Sequence, residues 1–377
     1  MTVPLNSSKT NSRVHSVLMT ADTIGGVWTY ALELSEALKD YGIEVYLATM
    51  GSPLTPKQKE ALSRIENIKL IEGSYKLEWM EDPWQDVEEA GKWLLELESA
   101  LQPDIIHLNG YSHGSLPFKA PKLVVGHSCV YSWYYAVKYH TPHEAWYEYK
   151  KKVTAGLKGA DLVTAPTNAM LSLLYFYYGK FNSAGAVYNA RQANDFLPGM
   201  KENIVLSAGR LWDEAKNVSM LAYISQRLKW PVYMAGERED PEGRFIQMFD
   251  HVNWLGRLSS RELASWMKRA SIFALPARYE PFGLSPLEAA LSGCALVLGD
   301  IPSLREVWQD TACFVKPDDY VALEKAIYNL IKNEDLRLSN AKRVRRRALY
   351  FTPARMAQGY LALYENLLAS KRHKIFS

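Results

Sequence analysis

The chain has 377 residues, more than a single hydrophobic core usually contains, so we expect two domains. Its 48% hydrophobic and 23% charged residues are typical of a soluble globular protein. A net charge of +3 is too small to indicate nucleic-acid binding, so we expect no nucleic-acid partner.

The cysteine content and the length of the apolar runs indicate the cellular compartment in which the protein is found. The three cysteines, Cys129, Cys294 and Cys313, are odd in number and far apart, so they predict neither a disulfide framework nor a metal site. The first dozen residues are polar, and we expect no signal peptide. No apolar run approaches the ~18 residues of a spanning helix. We therefore expect a cytoplasmic protein whose only membrane contact is peripheral.

The chain opens with a strand over residues 14–19, a polar loop over residues 20–26 and a helix over residues 27–38. The loop ends in Gly25 and Gly26, and a strand followed by glycines and a helix start lets the backbone approach a phosphate. The spacing is not G-x-G-x-x-G, so a dinucleotide site is weakly supported. A tight turn that requires glycine is the alternative, and it is stronger for Gly25 than for Gly26.

Further short apolar runs, separated by helical patterns, predict a mostly parallel, doubly wound sheet. These predicted strands cover residues 45–49, 68–71, 104–108, 123–125, 161–165 and 184–188, and one clear helix covers residues 84–101. Ligands of such sheets bind beyond the carboxyl ends of the strands, where His127 lies. His107 and His113 lie near similar ends. For these two we favour hydrogen-bonded structural histidines over contacts to an acceptor.

A segment over residues 131–149 is dense in aromatic rings. The rings are Tyr131, Trp133, Tyr134, Tyr135, Tyr139, Trp146, Tyr147 and Tyr149, with Lys138 and residues 150–152 among and after them. Such a mixture suits sugar stacking or a lipid headgroup zone. An ordinary helical core face with lysines that reach to solvent is an equal alternative. We expect the rings at residues 175–178 to serve packing, and residues 188–199 to link two domains.

The second sheet begins with a predicted strand over residues 204–207, followed by Gly209, Arg210 and Lys216. The two cations flank a predicted helix start near residue 217, where they could neutralise a growing negative charge. Taken alone, two solvated loop cations would be the better interpretation.

Two further predicted strands, over residues 232–235 and 252–255, end in glycine turns. The second turn is followed by Arg257 and Leu258, and the pattern by itself indicates an ordinary turn at a strand end.

The most informative stretch follows a predicted strand over residues 271–275 and reads R-Y-E-P-F-G-L-S-P-L-E-A-A-L-S-G. Pro286 indicates a helix start, because proline fits a helix only in its first turn. A helix start beside Gly283 offers free N–H groups that suit a phosphate. Glu280 and Glu288 would repel a lone phosphate but would accept hydrogen bonds from hydroxyls. The pattern therefore favours a ligand with a diphosphate between a sugar and a ribose.

The remaining elements complete the second domain. Strands are predicted over residues 295–298 and 312–315, and helices over residues 321–331 and 336–350, with a last helix opened by Pro353. The run K-R-V-R-R-R at residues 342–347 is expected to be a solvated face, with anionic lipid as the minority alternative. No Asp-x-Asp pair is present to hold a metal on a diphosphate, and we expect chemistry without a metal.

The run E-P-F-G-L-S-P-L-E-A-A-L-S-G-C-A resembles the E-x7-E motif of the retaining glycosyltransferases of family 4, which have the GT-B fold. The resemblance implies that Glu280 contacts the donor sugar and Glu288 the nucleotide ribose. It also implies donor contacts at Gly209, Phe282, Gly283 and Leu284, and it places Gly25 and Gly26 against the donor diphosphate or the acceptor. Arg257 and Leu258 match the position that contacts the nucleobase, with an ordinary turn at a strand end as an equal alternative. Arg210 and Lys216 match the pair that grips the diphosphate. The run V-V-G-H-S places His127 against the donor sugar.

One segment departs from the family pattern. The family often has P-N-G at the linker, whereas this chain has Tyr188-Asn189-Ala190, which changes the expected hinge.

The resemblance implies an α/β protein with two Rossmann-like domains across a cleft. The first would comprise residues 1–195 with the last helix, 353–377, crossing back, and the second residues 196–352. The implied enzyme is a metal-independent retaining hexosyltransferase with a UDP-glucose type of donor and no other cofactor. Its acceptor would be a sugar or lipid-linked glycan of an exopolysaccharide or cell envelope, at the inner face of the plasma membrane.

Alternatives remain on the same fold. They are transfer to a soluble small-molecule acceptor, a nucleotide-sugar epimerase, a phosphorylase, for which no pyridoxal-lysine pattern is visible, and a non-catalytic nucleotide-sugar sensor.

Overall fold

A computed structural model describes residues 14–239 and 250–376, with side chains up to residue 371. The expectation about the first dozen residues lies outside this part of the chain. The described strands form two sheets of seven and six strands, and every strand pair within them is parallel. The predicted α/β architecture with two doubly wound sheets is confirmed.

The first sheet has the strand order β3-β2-β1-β4-β5-β6-β7. Its strands are β1 (Ser16–Asp22), β2 (Glu44–Met50), β3 (Ile68–Glu72), β4 (Ile105–Leu108), β5 (Lys122–Val125), β6 (Leu162–Ala165) and β7 (Ala184–Ala186). Its helices are α1 (Gly26–Leu38), α2 (Pro56–Leu62), α3 (Trp84–Leu101), α4 (Val130–Lys138), α5 (Tyr147–Gly159) and α6 (Asn168–Tyr178). The strand order reverses between β1 and β4, and a crevice for ligands forms beyond the carboxyl ends of the strands at such a reversal.

The second sheet has the order β10-β9-β8-β11-β12-β13. Its strands are β8 (Glu202–Ala208), β9 (Val232–Ala235), β10 (Val252–Gly256), β11 (Ala270–Leu275), β12 (Ala295–Gly299) and β13 (Cys313–Val315). The later helices are α7 (Val218–Ser225), α8 (Ser260–Arg269), α9 (Leu284–Leu291), α10 (Pro302–Trp308), α11 (Tyr320–Lys332), α12 (Glu334–Ala348) and α13 (Pro353–Phe376). Here the order reverses between β8 and β11, so the loop between β11 and α9 lies at the second crevice.

The last helix packs against the first sheet rather than the second. Met356, Tyr360 and Tyr364 of α13 are buried in one cluster with Ala31 and Leu34 of α1. Burial of these apolar side chains holds the end of the chain on the first domain, at about 25 cal/mol for each Å² removed from water. Within the described residues, no helix is long and apolar enough to cross a bilayer.

Several element boundaries differ from the predicted ones for local reasons. The strand β1 continues to Asp22, three residues beyond the predicted end, because Thr20, Ala21 and Asp22 pair with β2. Helices α2 and α8 were not predicted, although both begin with a capping box, Thr55 with Gln58 and Ser259 with Glu262.

The two aromatic segments also differ from expectation. The dense segment forms α4 and the start of α5, joined by a short 3-10 turn at Glu144–Trp146. In the second cluster Tyr178 is buried, as expected for packing, but Phe176 is 77% exposed. Packing therefore does not explain the whole second cluster.

Candidate active site

The turn that follows β8 carries Lys216 in a fixed position. Asp213 Oδ1 accepts a hydrogen bond from the backbone N–H of Ala215 at 3.0 Å, and Asn217 adopts a left-handed φ of 53°. Lys216 Nζ lies 2.5 Å from Glu280 Oε2, and the two side chains are 15% and 12% exposed. The cation and the acid that the sequence singled out therefore form one largely buried ion pair.

Gly283 joins Glu280 to the start of α9. Its φ of 93° is strained for any residue with a side chain, and a Cβ there would lie 3.2 Å from Pro286 Cγ and 3.3 Å from Leu304 Cδ2. The helix begins at Leu284, so Pro286 occupies its first turn. The first N–H groups of α9 have no partner within the helix and can donate to an anion.

A second helix start faces this one from the other domain. Gly25 has a φ of 79°, and α1 begins at Gly26. A Cβ built on Gly26 would lie 3.6 Å from Leu284 Cδ1, at the beginning of α9. The glycine loop of the first domain and the acid-containing loop of the second therefore lie side by side.

His127 follows β5 and is only partly exposed. Its Nε2 lies 2.8 Å from Asn109 Oδ1, and its ring meets Tyr30 edge to face with centroids 4.5 Å apart. Burial of the imidazole lowers the pKa of His127 to about 3, so the ring is neutral at physiological pH.

The loop after His127 contacts the second domain beside Glu280. The backbone N–H of Cys129 donates to Tyr279 Oη at 3.3 Å, and Ser132 Oγ lies 2.8 Å from the same hydroxyl. Since Tyr279 immediately precedes Glu280, these contacts bring the His127 loop next to the Lys216–Glu280 pair.

Asp22, at the end of β1, was not singled out from the sequence. Burial raises its pKa to about 6, while the N–H of Ile24 and the positive charge of Arg210 act in the opposite direction. Arg210 is 46% exposed and lies 3.1 Å from Asp213. The position of Asp22 at the carboxyl end of a strand was the signal that could have revealed it.

Glu288 is held in a buried triad with two residues that the sequence gave no reason to choose. Its Oε1 lies 2.7 Å from Arg191 Nε, and Arg191 Nη1 lies 2.5 Å from Glu33 Oε1. Burial raises the pKa of Glu33 to about 7 against the opposing charge of Arg191, and burial also raises the pKa of Glu288. The triad joins α1, the segment between β7 and β8, and α9.

Two of the remaining candidates have backbone or surface positions. Gly209 follows β8 with a φ of 154°, and its N–H donates to the carbonyl of Ala235 at 3.0 Å. Arg257 is 74% exposed and pairs with Glu237 at 2.9 Å. An exposed pair of this kind contributes little stability, so Arg257 is free to move toward a ligand.

Leu258 and Phe282 are placed mainly by packing. Leu258 packs against the core of the second sheet. The ring of Phe282 is buried with its centroid 6.5 Å from that of Tyr188 and 5.5 Å from that of Phe351. Contact of Phe282 with a donor would therefore involve its backbone rather than its ring.

The other two histidines that follow strands of the first sheet, His107 and His113, are buried and hydrogen-bonded. His107 Nδ1 lies 2.6 Å from Tyr364 Oη, and His113 Nε2 lies 2.9 Å from the carbonyl of Val87. These contacts are those of structural histidines, which was the favoured interpretation.

Part of the aromatic segment forms the interface between the domains. Trp133 Nε1 donates to Asp213 Oδ1 at 2.9 Å, and Lys138 Nζ lies 2.7 Å from Glu214 Oε1. Both acids belong to the turn that carries Lys216, so α4 supports that turn from the opposite domain. No group of three His, Cys, Asp or Glu side chains in residues 14–239 and 250–371 is arranged to hold a metal ion.

Comparisons with known proteins match both halves of the chain. The model described as Glycosyltransferase Family 4 matches residues 24–189, and the model described as Glycosyl transferases group 1 matches residues 190–347. The chain is 30% identical over 156 residues to the O-antigen chain mannosyltransferase RfbU of Salmonella typhimurium. That alignment covers 38% of this chain and 43% of the relative, so the chain spans less than half of the length of this curated relative.

Solved structures share the fold of this chain over nearly its whole length. The sucrose-phosphate synthase of Thermosynechococcus elongatus has a TM-score of 0.78 at 19% identity, over 94% of this chain and 100% of that one. Anabaena HepE in complex with UDP-glucose has a TM-score of 0.73 at 14% identity, over 94% and 99% of the two chains. These likenesses establish the fold, which is GT-B.

Proposed function

The chain belongs to the family 4 glycosyltransferases of the GT-B fold, and from that premise we propose that it transfers a hexose from a nucleotide diphosphate sugar to an acceptor hydroxyl, with retention at the anomeric carbon. The observation that carries the proposal is the Lys216–Glu280 ion pair beside two helix starts. Lysine and free N–H groups suit the diphosphate, and the carboxylate suits sugar hydroxyls. UDP-glucose is the type of donor that we propose, and Anabaena HepE binds that donor.

The chemistry assigned to these residues is stabilisation of a departing diphosphate. The bond between the anomeric carbon and the phosphate oxygen breaks, and the acceptor oxygen bonds to the same face of that carbon. The acceptor proton passes to the leaving phosphate oxygen. Lys216, Arg210 and the N–H groups at the start of α9 stabilise the negative charge as it develops, while Glu280 and His127 orient the sugar.

The geometry of the ion pair supports this assignment in a specific way. Lys216 and Glu280 already hold each other in a largely buried site, so little side-chain freedom remains to be lost when a donor binds. Lys216 has three N–H donors, so it can bind a phosphate oxygen while it keeps Glu280 as a partner. Metal-free catalysis is proposed on the same basis, because fixed cations and N–H groups can supply the positive charge.

Calorimetric titration with UDP, GDP, UDP-glucose and GDP-mannose tests the donor. We expect UDP-glucose and UDP to bind, and glucose to be transferred to an oligosaccharide acceptor as an α-linked product. A donor that binds but isomerises without any acceptor would support the epimerase instead. Binding with no turnover on any acceptor or on water would support a sensor, and binding of none of the four would contradict the proposal.

We further propose a glycan acceptor at an anionic membrane, supported by an exposed aromatic–basic surface on α4, α5 and α6. Tyr135, Tyr147 and Phe176 are 57%, 62% and 77% exposed. Tyr147, Lys150 and Lys158 line one shallow groove on α5, and Lys150 Nζ lies 5.2 Å from the centre of a neighbouring tyrosine ring. Exposed rings with adjacent cations suit a headgroup region.

Sedimentation with vesicles tests this surface. We expect binding to vesicles that contain phosphatidylglycerol and no binding to pure phosphatidylcholine. The double variant Lys150→Ala/Lys158→Ala should bind about 30-fold more weakly, at ~1 kcal/mol for each lysine. Lys325→Ala, an exposed lysine of α11, serves as the control. Equal binding by the double variant and the control would exclude a role for these lysines, and no binding of the wild type to either kind of vesicle would favour a soluble acceptor.

A further inference from the structure

The side-chain amide of Asn109 has a fixed orientation at the carboxyl end of β4. Its Nδ2 lies 2.7 Å from the backbone carbonyl oxygen of Thr20, and its own backbone N–H donates to Thr20 Oγ1 at 2.9 Å. A backbone carbonyl can only accept a hydrogen bond, so the amide nitrogen must face Thr20. The amide oxygen must then point the other way.

That oxygen determines which nitrogen of His127 carries the proton. Asn109 Oδ1 lies 2.8 Å from His127 Nε2. An amide oxygen cannot donate, so Nε2 must be the protonated nitrogen. The imidazole is neutral, since burial lowers its pKa to about 3, and Nδ1 therefore keeps its lone pair.

Surrounding contacts hold the ring in this orientation. The ring of Tyr30 packs edge to face against His127 at 4.5 Å, and Tyr30 Oη lies 3.1 Å from His107 Nε2. The ring of His107 is held in turn by a hydrogen bond between its Nδ1 and Tyr364 Oη of α13, at 2.6 Å. Among residues 14–239 and 250–371, no hydrogen bond involves Nδ1 of His127.

We propose that Asn109 is a positioning residue that fixes His127 as the Nε2–H tautomer, so that Nδ1 accepts a hydrogen bond from a hydroxyl of the donor sugar. The role at the sugar rests on the proposed transfer reaction, whereas the tautomer follows from the fold alone. The site then selects a sugar that presents an O–H group to His127. A donor sugar with fluorine in place of that hydroxyl cannot donate a hydrogen bond to Nδ1, so the site should no longer select it.

The tautomer can be measured without any substrate. In long-range ¹H–¹⁵N spectra of the protein with ¹⁵N-labelled histidine, the two ring nitrogens of a neutral imidazole have clearly different shifts. His127→Gln identifies the relevant signals. We expect a protonated Nε2 and an unprotonated Nδ1 between about pH 6 and 8. A protonated Nδ1 in the wild-type protein would overturn the proposal, whether or not the enzyme is active.

Substitution of Asn109 tests the role at the sugar. In Asn109→Asp the donor to the Thr20 carbonyl is lost, but the carboxylate still accepts from His127 Nε2. Its negative charge favours the imidazolium of His127, in which Nδ1 becomes a donor, and it also acts on His107, whose Nε2 lies 3.3 Å from the same oxygen. We expect kcat/KM of this variant to fall about 10–100-fold at pH 6 and to recover toward the wild-type value by about pH 9. The kcat/KM of the wild type should show no such ionisation. Asn182→Asp is a matched control, because its Nδ2 also faces a backbone carbonyl, at 3.3 Å, near the amino end of β7.

The outcomes separate the two proposals. A pH-independent loss in Asn109→Asp, equal to that of the control, would reduce Asn109 to a structural role and overturn the inference. The expected tautomer combined with no transfer from any nucleotide sugar would refute the proposed function while leaving the tautomer assignment intact. Protonation of Nε2 together with the new pH dependence would support both.

Discussion

Replacement of Arg191 by methionine should destabilise the protein strongly, and more at high pH than at low pH. The guanidinium is 9% exposed and lies between Glu33 at 2.5 Å and Glu288 at 2.7 Å, whose side chains are 10% and 11% exposed. Methionine fills much of the same volume but removes the charge, so two buried carboxylates lose their cation. Loss of one partner from a buried ion pair costs ~3–5 kcal/mol.

The pH dependence follows from the direction of the pKa shifts. The folded state already raises the pKa of Glu33 to about 7, and burial raises the pKa of Glu288 as well. Without Arg191 both pKa values rise further, so the folded variant binds protons that the unfolded chain releases above about pH 4.5. Its stability therefore increases as pH falls, by up to ~1.4 kcal/mol per pH unit for each carboxylate. The deficit relative to wild type should shrink by about 1–3 kcal/mol from pH 8 to pH 6.

Urea unfolding followed by tryptophan fluorescence at both pH values measures these differences. The control is Arg305→Met, because Arg305 pairs with Asp300 at 2.6 Å in an exposed position and should contribute less than ~1 kcal/mol. The triple variant Arg191→Met/Glu33→Gln/Glu288→Gln should recover part of the loss, since it carries no buried charge. A loss for Arg191→Met that equals the control, or that is the same at pH 8 and pH 6, would show that Arg191 does not compensate two buried carboxylates.

Three further predictions concern activity, binding and stability. Lys216→Ala should lower turnover by about 10²–10³-fold relative to Lys325→Ala, and near-normal turnover would contradict its role at the diphosphate. Glu288→Gln should weaken UDP binding by ~1–3 kcal/mol in calorimetry, whereas unchanged affinity would reject a ribose contact. Burial lowers the pKa of His107 to about 3, so its contribution to stability is present above pH 6.5 and is lost as pH falls. Wild type should therefore lose ~2 kcal/mol more than His107→Gln between pH 8 and pH 5, and parallel curves would count against this burial effect.

The parallel sheets and the loop with Glu280 could be predicted because their signals are local. Short apolar runs between helical patterns specify a doubly wound sheet, and Gly283 with Pro286 specifies a bend followed by a helix start. The capping boxes of α2 and α8 were local signals of the same kind, so those two helices were also predictable.

The residues that sequence reasoning missed depend on contacts between distant segments. Arg191 lies 158 residues from Glu33 in the chain, and neither has a neighbouring motif that marks it. Asn109 acquires its significance only when β1, β4 and β5 lie side by side and bring Thr20 and His127 to its two ends. The buried ring of Phe282 follows from core packing against Phe351, which the motif alone does not specify.

If one nucleotide-sugar site lies between the two domains, a crystal structure of the protein with UDP will show the nucleotide there. We predict that the diphosphate lies within hydrogen-bonding distance of Lys216 Nζ and the first N–H groups of α9, with Arg210 turned toward it. The cleft wall opposite should be formed by Gly25, Gly26 and His127. Ordered UDP bound elsewhere, with Lys216 still paired only with Glu280, would show that the donor site is not at this ion pair.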